Sequence, residues 1–574
     1  MRRSTFGSIA ALTLTLAGCD SAPTDPGLGP DGQAIPTTCE ESNTATLQIG
    51  ETAEFIGPHA RFFCVHGDDE SQLDYVMTMH AAGTSAVTVG AEVNGTVAPR
   101  SSPSPVPTQE VRSPSAPDDA FHIALREREV RELSGLIGAT RSPGDLAPAA
   151  PAAVPFVGDM LVLNAQANAG GLSDGACGIP LHVTARVEVV SARAIVVADV
   201  ANPGGGFTTS DYRRYAAQFD TLLAPLAEAH FGPATDIDAN GRTILLFTRE
   251  VNRLTLHNAN SFTAGFFFAR DLFPRQRPAD GRLGECTHSN EAEILYLLVP
   301  DPSGTINGNV RSRSEVDQST PATIIHEYQH LINAGRRLHV NRLSSEFWAE
   351  EPWLNEGLSH VAEELLFFRA SGLAPRTNIG RNALTLGGFR ASLALERHQR
   401  NNFLRFFDFL ERPESRGPYD VTLTLESRGA AWSFLRYLAD RSPNDAAFLF
   451  DLVDSRTRGL ANLVEVLGGS AVLFDRLSDW RIAIYGDGRV FGLAERHRDL
   501  SWDLPSIHGQ LGSGSYPIRS VTMSSGVAVD RTLVPGGAAY LRFAAEPGVT
   551  ATVDLLSNGS LPPGTLRATV LRTR

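Results

Sequence analysis

The chain has no lysine: all fifty of its basic residues are arginine, a bias that reflects genome composition rather than function. Acids outnumber them, 64 to 50, and the net charge is −14. A surface short of positive charge repels phosphate backbones, which argues against nucleic acid as a partner. Beyond the first twenty residues no apolar run reaches the length of a transmembrane helix, so the mature chain is expected to be soluble, tethered by lipid at most. Cysteine is scarce as well, with five residues in 574, and their spacings do not resemble a thiolate zinc site. A chain of this length exceeds one ordinary core, so two or three domains are expected.

The one short apolar stretch, 6–16, follows Arg2 and Arg3 and leads into Leu16-Ala17-Gly18-Cys19. A basic start, a short apolar core and a small-residue exit make a secretory signal. The last four residues look like a bacterial lipobox, which implies cleavage before Cys19 and a lipid on its thiol; an ordinary signal peptide cut nearby is the blander alternative. Residues 1–18 are thus read as a lipoprotein signal peptide and 19–38 as a flexible tether. The expected location is the cell envelope, with the membrane reached through the lipid at Cys19. An exported chain meets an oxidising compartment, so the other four cysteines are expected in two disulfides. Three connectivities are possible; Cys39 with Cys64 and Cys177 with Cys286 keep each bridge inside one candidate domain.

Further along, short apolar runs alternate with turn residues at 44–49, 60–66, 73–80 and 86–97, so 39–100 is read as an N-terminal β-domain. A linker at 101–155 holds two proline-rich stretches around a charged helix at 118–137, read as a mobile connector or a propeptide remnant. Strand-like runs at 160–163, 182–190, 194–200, 243–247 and 293–299 open a unit assigned to 156–505, with a helix near 210–230 that Pro225 can kink. From 384 to 485 the pattern is nearly all helical. Short strands return after 506, and 506–574 is read as a C-terminal β-domain. The fold class is therefore α+β and multidomain. A catalytic unit with a mixed-sheet half and a helical half is flanked by small β-sandwich-like domains.

The densest chemical signal is His326-Glu327-Tyr328-Gln329-His330. Residues four apart on a helix share a face, so both imidazoles can bind one zinc ion with Glu327 beside a metal-bound water. With 15 histidines in the chain, chance yields this pattern on the order of 0.02 times, so context must support it. Ser319-Thr320-Pro321 reads as a cap followed by proline at the first helical position, and Gly335 as the stop, with no glycine or proline between. Zinc needs a third protein ligand and an open position for water. Glu356, in Trp353-Leu354-Asn355-Glu356-Gly357, is the candidate, at the start of a second helix that runs on through 358–368. On its own such a carboxylate reads as a solvated residue at a helix start.

Two histidines and a downstream glutamate on a second helix resemble the gluzincin metallopeptidases. The run 326–333, the segment Trp353 to Gly357 and Arg428-Gly429-Ala430-Ala431 resemble most the hyicolysin family of secreted bacterial neutral metallopeptidases. The likeness extends over about 155–500, with its specific motifs within about 323–365. It implies zinc on His326, His330 and Glu356, with Glu327 as general base. Thermolysin-like enzymes carry an acid four residues after the third ligand to orient an imidazole; here that position is His360. Glu363 and Glu364 are the nearby carboxylates, and the bland reading of both is a solvated helix face. The zinc aminopeptidases carry a tyrosine three residues before a Gly-Ala pair, and Glu426 occupies that position here. Tyr419, Tyr437 and His398 are the nearest alternatives, and the oxyanion donor stays unassigned.

One more constellation, Asp236-Ile237-Asp238-Ala239-Asn240-Gly241, matches the first half of a calcium loop, with Asp236, Asp238 and Asn240 as ligands. Its twelfth position is Phe247, which cannot ligate, and a polar turn before a strand is the simpler reading. The leading function is a zinc endopeptidase acting on protein or peptide substrates. The competing one is a non-catalytic surface-binding lipoprotein whose peptidase domain is vestigial. Four intact motif positions weigh against decay, and the Gly-rich motif of the aminopeptidases is missing, so nothing supports an exopeptidase. Oligomeric state and substrate preference are not legible.

Overall fold

The computed structural model describes residues 35–67, 70–100, 117–138, 153–167, 175–259, 262–278, 281–385, 388–512 and 514–574. The segments read as a signal peptide and a lipobox at Cys19 lie outside these residues. The described chain is mixed α and β, with three sheets and a large helical portion.

The central sheet has the strand order Gly265–Phe267, Ile294–Leu297, Thr243–Phe247, Ala194–Asp199, His182–Val190, Met160–Asn164. Its middle is parallel, with Thr243–Phe247 flanked in the same direction by Ile294–Leu297 and Ala194–Asp199; the other pairings are antiparallel. Thr243-Ile244-Leu245-Leu246-Phe247 is buried at every position, as a strand covered on both faces must be. His182–Val190 instead alternates exposed and buried residues, because one of its faces meets water. The helix before the fourth of these strands in chain order is broken by a π-turn at Phe219–Leu223, directly ahead of Pro225.

The helix that carries His326 and His330 runs Arg313–Gly335, and we call it the motif helix. It starts two turns before the predicted cap. Ser312 and Glu315 form a capping box: Glu315 N–H donates to Ser312 Oγ at 3.2 Å and Ser312 N–H to Glu315 Oε2 at 2.8 Å. Pro321 therefore sits inside the helix, where the Ser319 and Thr320 hydroxyls turn back onto Val316 O at 3.2 and 2.7 Å. Gly335 is not a left-handed cap either, since its φ is −60° and the chain continues into a π-turn at Arg336–Val340. Glycine is needed there for closeness: a Cβ would sit 2.6 Å from Thr235 Oγ1. The second helix, Pro352–Ser371, begins with proline at its first turn and ends at Gly372, whose φ of 79° suits glycine. A Cβ on Gly357 would come 2.7 Å from Leu435 Cδ1, which fixes how closely the helix Leu425–Asp440 packs against it.

Two expectations about the flanks are corrected. The segments read as separate N- and C-terminal β-domains share both sheets of a single sandwich. One sheet alternates them in the order Thr44–Ala45, Phe62–Val65, Ala551–Leu556, Val87–Asn94, Val529–Leu533. In the other, Leu73–Ala81 lies between Ala538–Ala545 and Leu566–Arg572. A few strands from one end cannot cover their own apolar face, and the strands of the other end supply the cover. Secondly, the helix Pro117–Leu133, read as a mobile connector or a propeptide remnant, is packed onto the body rather than standing free as a connector: Leu125, Arg126, Arg128, Glu129 and Leu133 are buried. Cys39 bridges Cys64 inside the sandwich, and Cys177 bridges Cys286 beside the central sheet, the pairing favoured from the sequence.

Candidate metal centre

The motif helix and the second helix pack against each other, and their facing sides bring three chemical groups together. His326, His330 and Glu356 are buried, and their ligand atoms lie within 4.8 Å of one another. Glu356 Oε2 is 3.6 Å from His326 Nε2, and Oε1 is 3.5 Å from His330 Nε2. Ligands about 2.1 Å from a tetrahedral ion stand roughly 3.4 Å apart, so the spacing suits three donors around one zinc-sized cation. Glu356 is 1% exposed, and neither of its oxygens is in a hydrogen bond of good geometry; what surrounds them is the two imidazoles and one guanidinium. Arg428, from the helix Leu425–Asp440, brings its guanidinium 3.1 Å from Glu356 Oε2.

The imidazoles are oriented from behind. His326 Nδ1 lies 2.7 Å from Glu363 Oε1, which leaves Nε2 aimed at Glu356. His360, in the place of the expected acid, is not the orienting group; it shares Glu363, at 3.1 Å from Nδ1. The carboxylate is thus supplied one turn later on the same face, and Glu363 is not on the solvated surface read from the sequence. Glu364 is no surface acid either: it is fully buried, accepts from Trp502 Nε1 at 2.8 Å and lies 3.6 Å from Arg436. His330 Nδ1 is 3.1 Å from the Ser359 hydroxyl, which also donates to Gln329 Oε1 at 2.6 Å.

These contacts set the protonation of the metal-free site. Burial pulls His326 down, but its bonds to Glu356 and Glu363 outweigh burial and raise it to about 10. Burial pushes Glu356 up, while Arg428 and the two imidazoles bring it well below the usual carboxylate range. A metal can use an imidazole nitrogen only where no proton sits, so protons and a metal compete for His326.

Glu327 points to the sheet side. Its Oε2 accepts from Phe267 N–H at 2.9 Å, at the free edge of the sheet. The same edge is touched by the helix Pro117–Leu133. Arg126 donates to Phe267 O at 2.5 Å, and Ala269 N–H donates to Glu129 Oε1 at 2.7 Å. His122, on that helix, feels the charges of Glu356, Arg428 and His326, although burial is what chiefly lowers its pKa. In the sequence Arg428 stands only within a resemblance motif that gave it no role, and nothing local marked Ser359 or this helix as part of the site.

The oxyanion alternatives separate. The Tyr419 hydroxyl is turned onto Ala82 O at 3.0 Å, and that of Tyr437 onto Arg496 O at 2.5 Å, so neither faces the metal ligands. His398 stays close enough to Glu363 to feel its charge. At the calcium-like loop the ligand set is corrected. Asp236 and Asp238 come together with Glu293, whereas Asn240 Oδ1 accepts from Arg242 N–H at 2.7 Å and Asn240 Nδ2 donates to Asp238.

Among known proteins, the chain resembles the neutral metalloprotease ShpI of Staphylococcus hyicus, with 26% identity over 159 residues. That stretch is 28% of this chain and 31% of the relative, so the match spans less than a third of the relative's length. No protein-family profile matches the chain. A distant likeness to a metalloprotease agrees with a metal-dependent peptidase and does not reach finer distinctions.

Proposed function

We propose that this chain is a zinc-dependent endopeptidase of the gluzincin type, close to the hyicolysins, with His326, His330 and Glu356 as metal ligands and Glu327 as general base. The single observation that carries the reading is the buried meeting of two Nε2 atoms with one carboxylate. A zinc ion there would supply a Lewis acid and lower the pKa of a water towards neutrality. The protein's part is positioning. Glu363 and Ser359 hold the two imidazoles, and Arg428 holds the carboxylate. Phe267 N–H holds Glu327, which takes the proton as water attacks the peptide carbonyl. At the edge strand Gly265–Phe267 the Phe267 carbonyl is held by Arg126 and its N–H by Glu327, so an extended protein substrate would pair there only by displacing the Arg126 contact. Lipid on Cys19 would keep the enzyme at the cell envelope. Among the described residues no helix is long and apolar enough to cross a membrane.

Two substitutions test this together. His330→Ala should lose stoichiometric zinc and peptidase activity at once, measured by metal analysis and cleavage of a peptide library. Glu327→Gln should keep zinc and lose roughly two or more decades of activity, because an amide cannot accept the proton. A His330→Ala chain that retains one tightly held zinc, or a Glu327→Gln chain as active as the parent, would overturn the assignment.

A further inference from the structure

We propose a second, structural cation site, for calcium, where the loop at 236–241 meets Glu293. It is independent of the peptidase reading. Asp236, Asp238 and Gly241 hold positions one, three and six of a calcium loop, the pattern that places oxygen donors at alternate residues and a glycine at the sharp turn. Gly241 has φ 70°, and its N–H donates to Asp236 Oδ1 at 2.9 Å. The linear pattern breaks off because its twelfth residue, Phe247, is buried in a strand. The sheet makes good the loss. Thr243–Phe247 runs parallel to Ile294–Leu297 with Ile244 opposite Ile294, and Ile244 N–H donates to Glu293 O at 2.7 Å. That register delivers the Glu293 side chain to the loop, 52 positions beyond Gly241 in the sequence.

The second observation is Glu293 itself. It is 1% exposed; Oε1 accepts from Ile237 N–H at 2.9 Å, while Oε2 is buried with no partner in bonding geometry, although the Thr235 hydroxyl is near enough to influence it. The carboxylate oxygens of Asp236, Asp238 and Glu293 gather within 4.8 Å. Among the described residues no arginine forms an ion pair with any of the three. Three acids, one of them deeply buried, converge with nothing to neutralise them. Such a cluster binds either protons or a cation. Burial raises Glu293 to about 7 and Asp238 to about 6. Near neutral pH a cation and protons therefore compete for these carboxylates, and a cation gains as pH rises. All donors are oxygens, with no imidazole or thiolate, which selects a hard ion; an irregular loop suits calcium better than the rigid octahedron of magnesium.

The position also says what the ion does. Thr235, beside the loop, fills the space above Gly335, the last residue of the motif helix. Pro233 O accepts from Arg336 at 3.5 Å, just past that helix. A cation on Glu293 would pin the loop to the sheet and so brace the far end of the helix that carries His326 and His330.

The test uses the full chain, stripped of metal by chelator and reloaded with one equivalent of zinc. Equilibrium dialysis against calcium, read by atomic emission, should find one calcium per chain with a dissociation constant on the order of 0.1–1 mM. Calcium should raise the melting temperature by several degrees, and equal magnesium should not. Glu293→Gln and Asp238→Asn, each close in size to the parent residue, should weaken calcium binding tenfold or more and abolish the thermal response. Both should retain zinc, which shows that they fold. A parent chain that takes up no calcium at millimolar concentration would overturn the proposal, as would variants that bind it equally or a magnesium response equal to that of calcium. The parent measurement decides even if a variant fails to fold.

Discussion

At the scale of single residues the proposed metal centre would depend on side chains that do not themselves ligate. Glu363 holds His326 by Nδ1, and Arg428 stands against Glu356. Outer partners of this kind commonly contribute 10–100-fold to metal affinity. Glu363→Ala is expected to weaken zinc binding by about that factor with an unchanged far-ultraviolet circular dichroism spectrum, measured by competition with a chromogenic chelator. Arg428→Lys should fall short of the parent as well, because an ammonium cannot keep both the contact with Glu356 and the bond from Nε to Leu423 O. A different carboxylate sets a pH dependence. Asp499 accepts from the Trp502 and Ser501 main chain at 2.9 and 3.2 Å, and burial, then neighbouring Asp440, hold its carboxyl above the ordinary range; Asp487 adds to this. The folded chain keeps a proton that the unfolded chain gives up near pH 4. The stability this group contributes is full below that pH and is lost as pH rises through the raised folded value. The melting temperature should therefore decline between pH 5 and 8 more steeply in the parent than in Asp499→Asn. Parallel curves would show that the proton is not held.

At the scale of elements, the helix Pro117–Leu133 is the one placed to affect the proposed peptidase activity. Arg126 and Glu129 pair with each other at 3.0 Å and occupy the main-chain groups of Phe267 and Ala269. An extended substrate pairing with this edge would need the same groups. The double substitution Arg126→Ala, Glu129→Ala is expected to raise kcat/KM severalfold on a long peptide, with little change on a dipeptide amide too short to reach the edge. If both rates fall together with the melting temperature, the helix only braces the sheet. The motif helix itself is set by its capping box at Ser312 and by the close contact of Gly335 with Thr235.

At the scale of the molecule, the two ends of the chain cannot be treated as detachable. Leu73–Ala81 is buried along its whole length, with C-terminal strands on both sides. The sandwich also grips the helical half: Arg481 donates to Gly536 O, Arg567 meets Asp475 at 2.8 Å, and the Tyr419 hydroxyl reaches Ala82 O. A chain ending at 513 should therefore lose the N-terminal strands as well, seen as the loss of β signal in circular dichroism and rapid proteolysis within 44–97. A fragment that keeps those strands protected would show that they fold without their partners.

Spacing along one helix decides which side chains share a face, and so the five residues from His326 to His330 sufficed to pair two imidazoles. Runs of Ile, Val and Leu likewise placed five of the six strands of the central sheet, while the short, phenylalanine-rich edge strand Gly265–Phe267 left no such pattern. The cysteines divided by domain, and they bridge that way. What local pattern could not carry was any meeting between distant segments. Glu363 and Glu364 looked alike on paper; packing against His326 and against Trp502 gave them different surroundings. Two ends of the chain looked like two small domains because alternation along a strand says nothing about which strand lies beside it. Glu293 joined a loop it is far from in sequence only because two parallel strands fell into register. Local geometry is written in neighbouring residues, whereas partners across the core are chosen by which apolar faces can cover one another, and that choice exists only once the whole chain has folded.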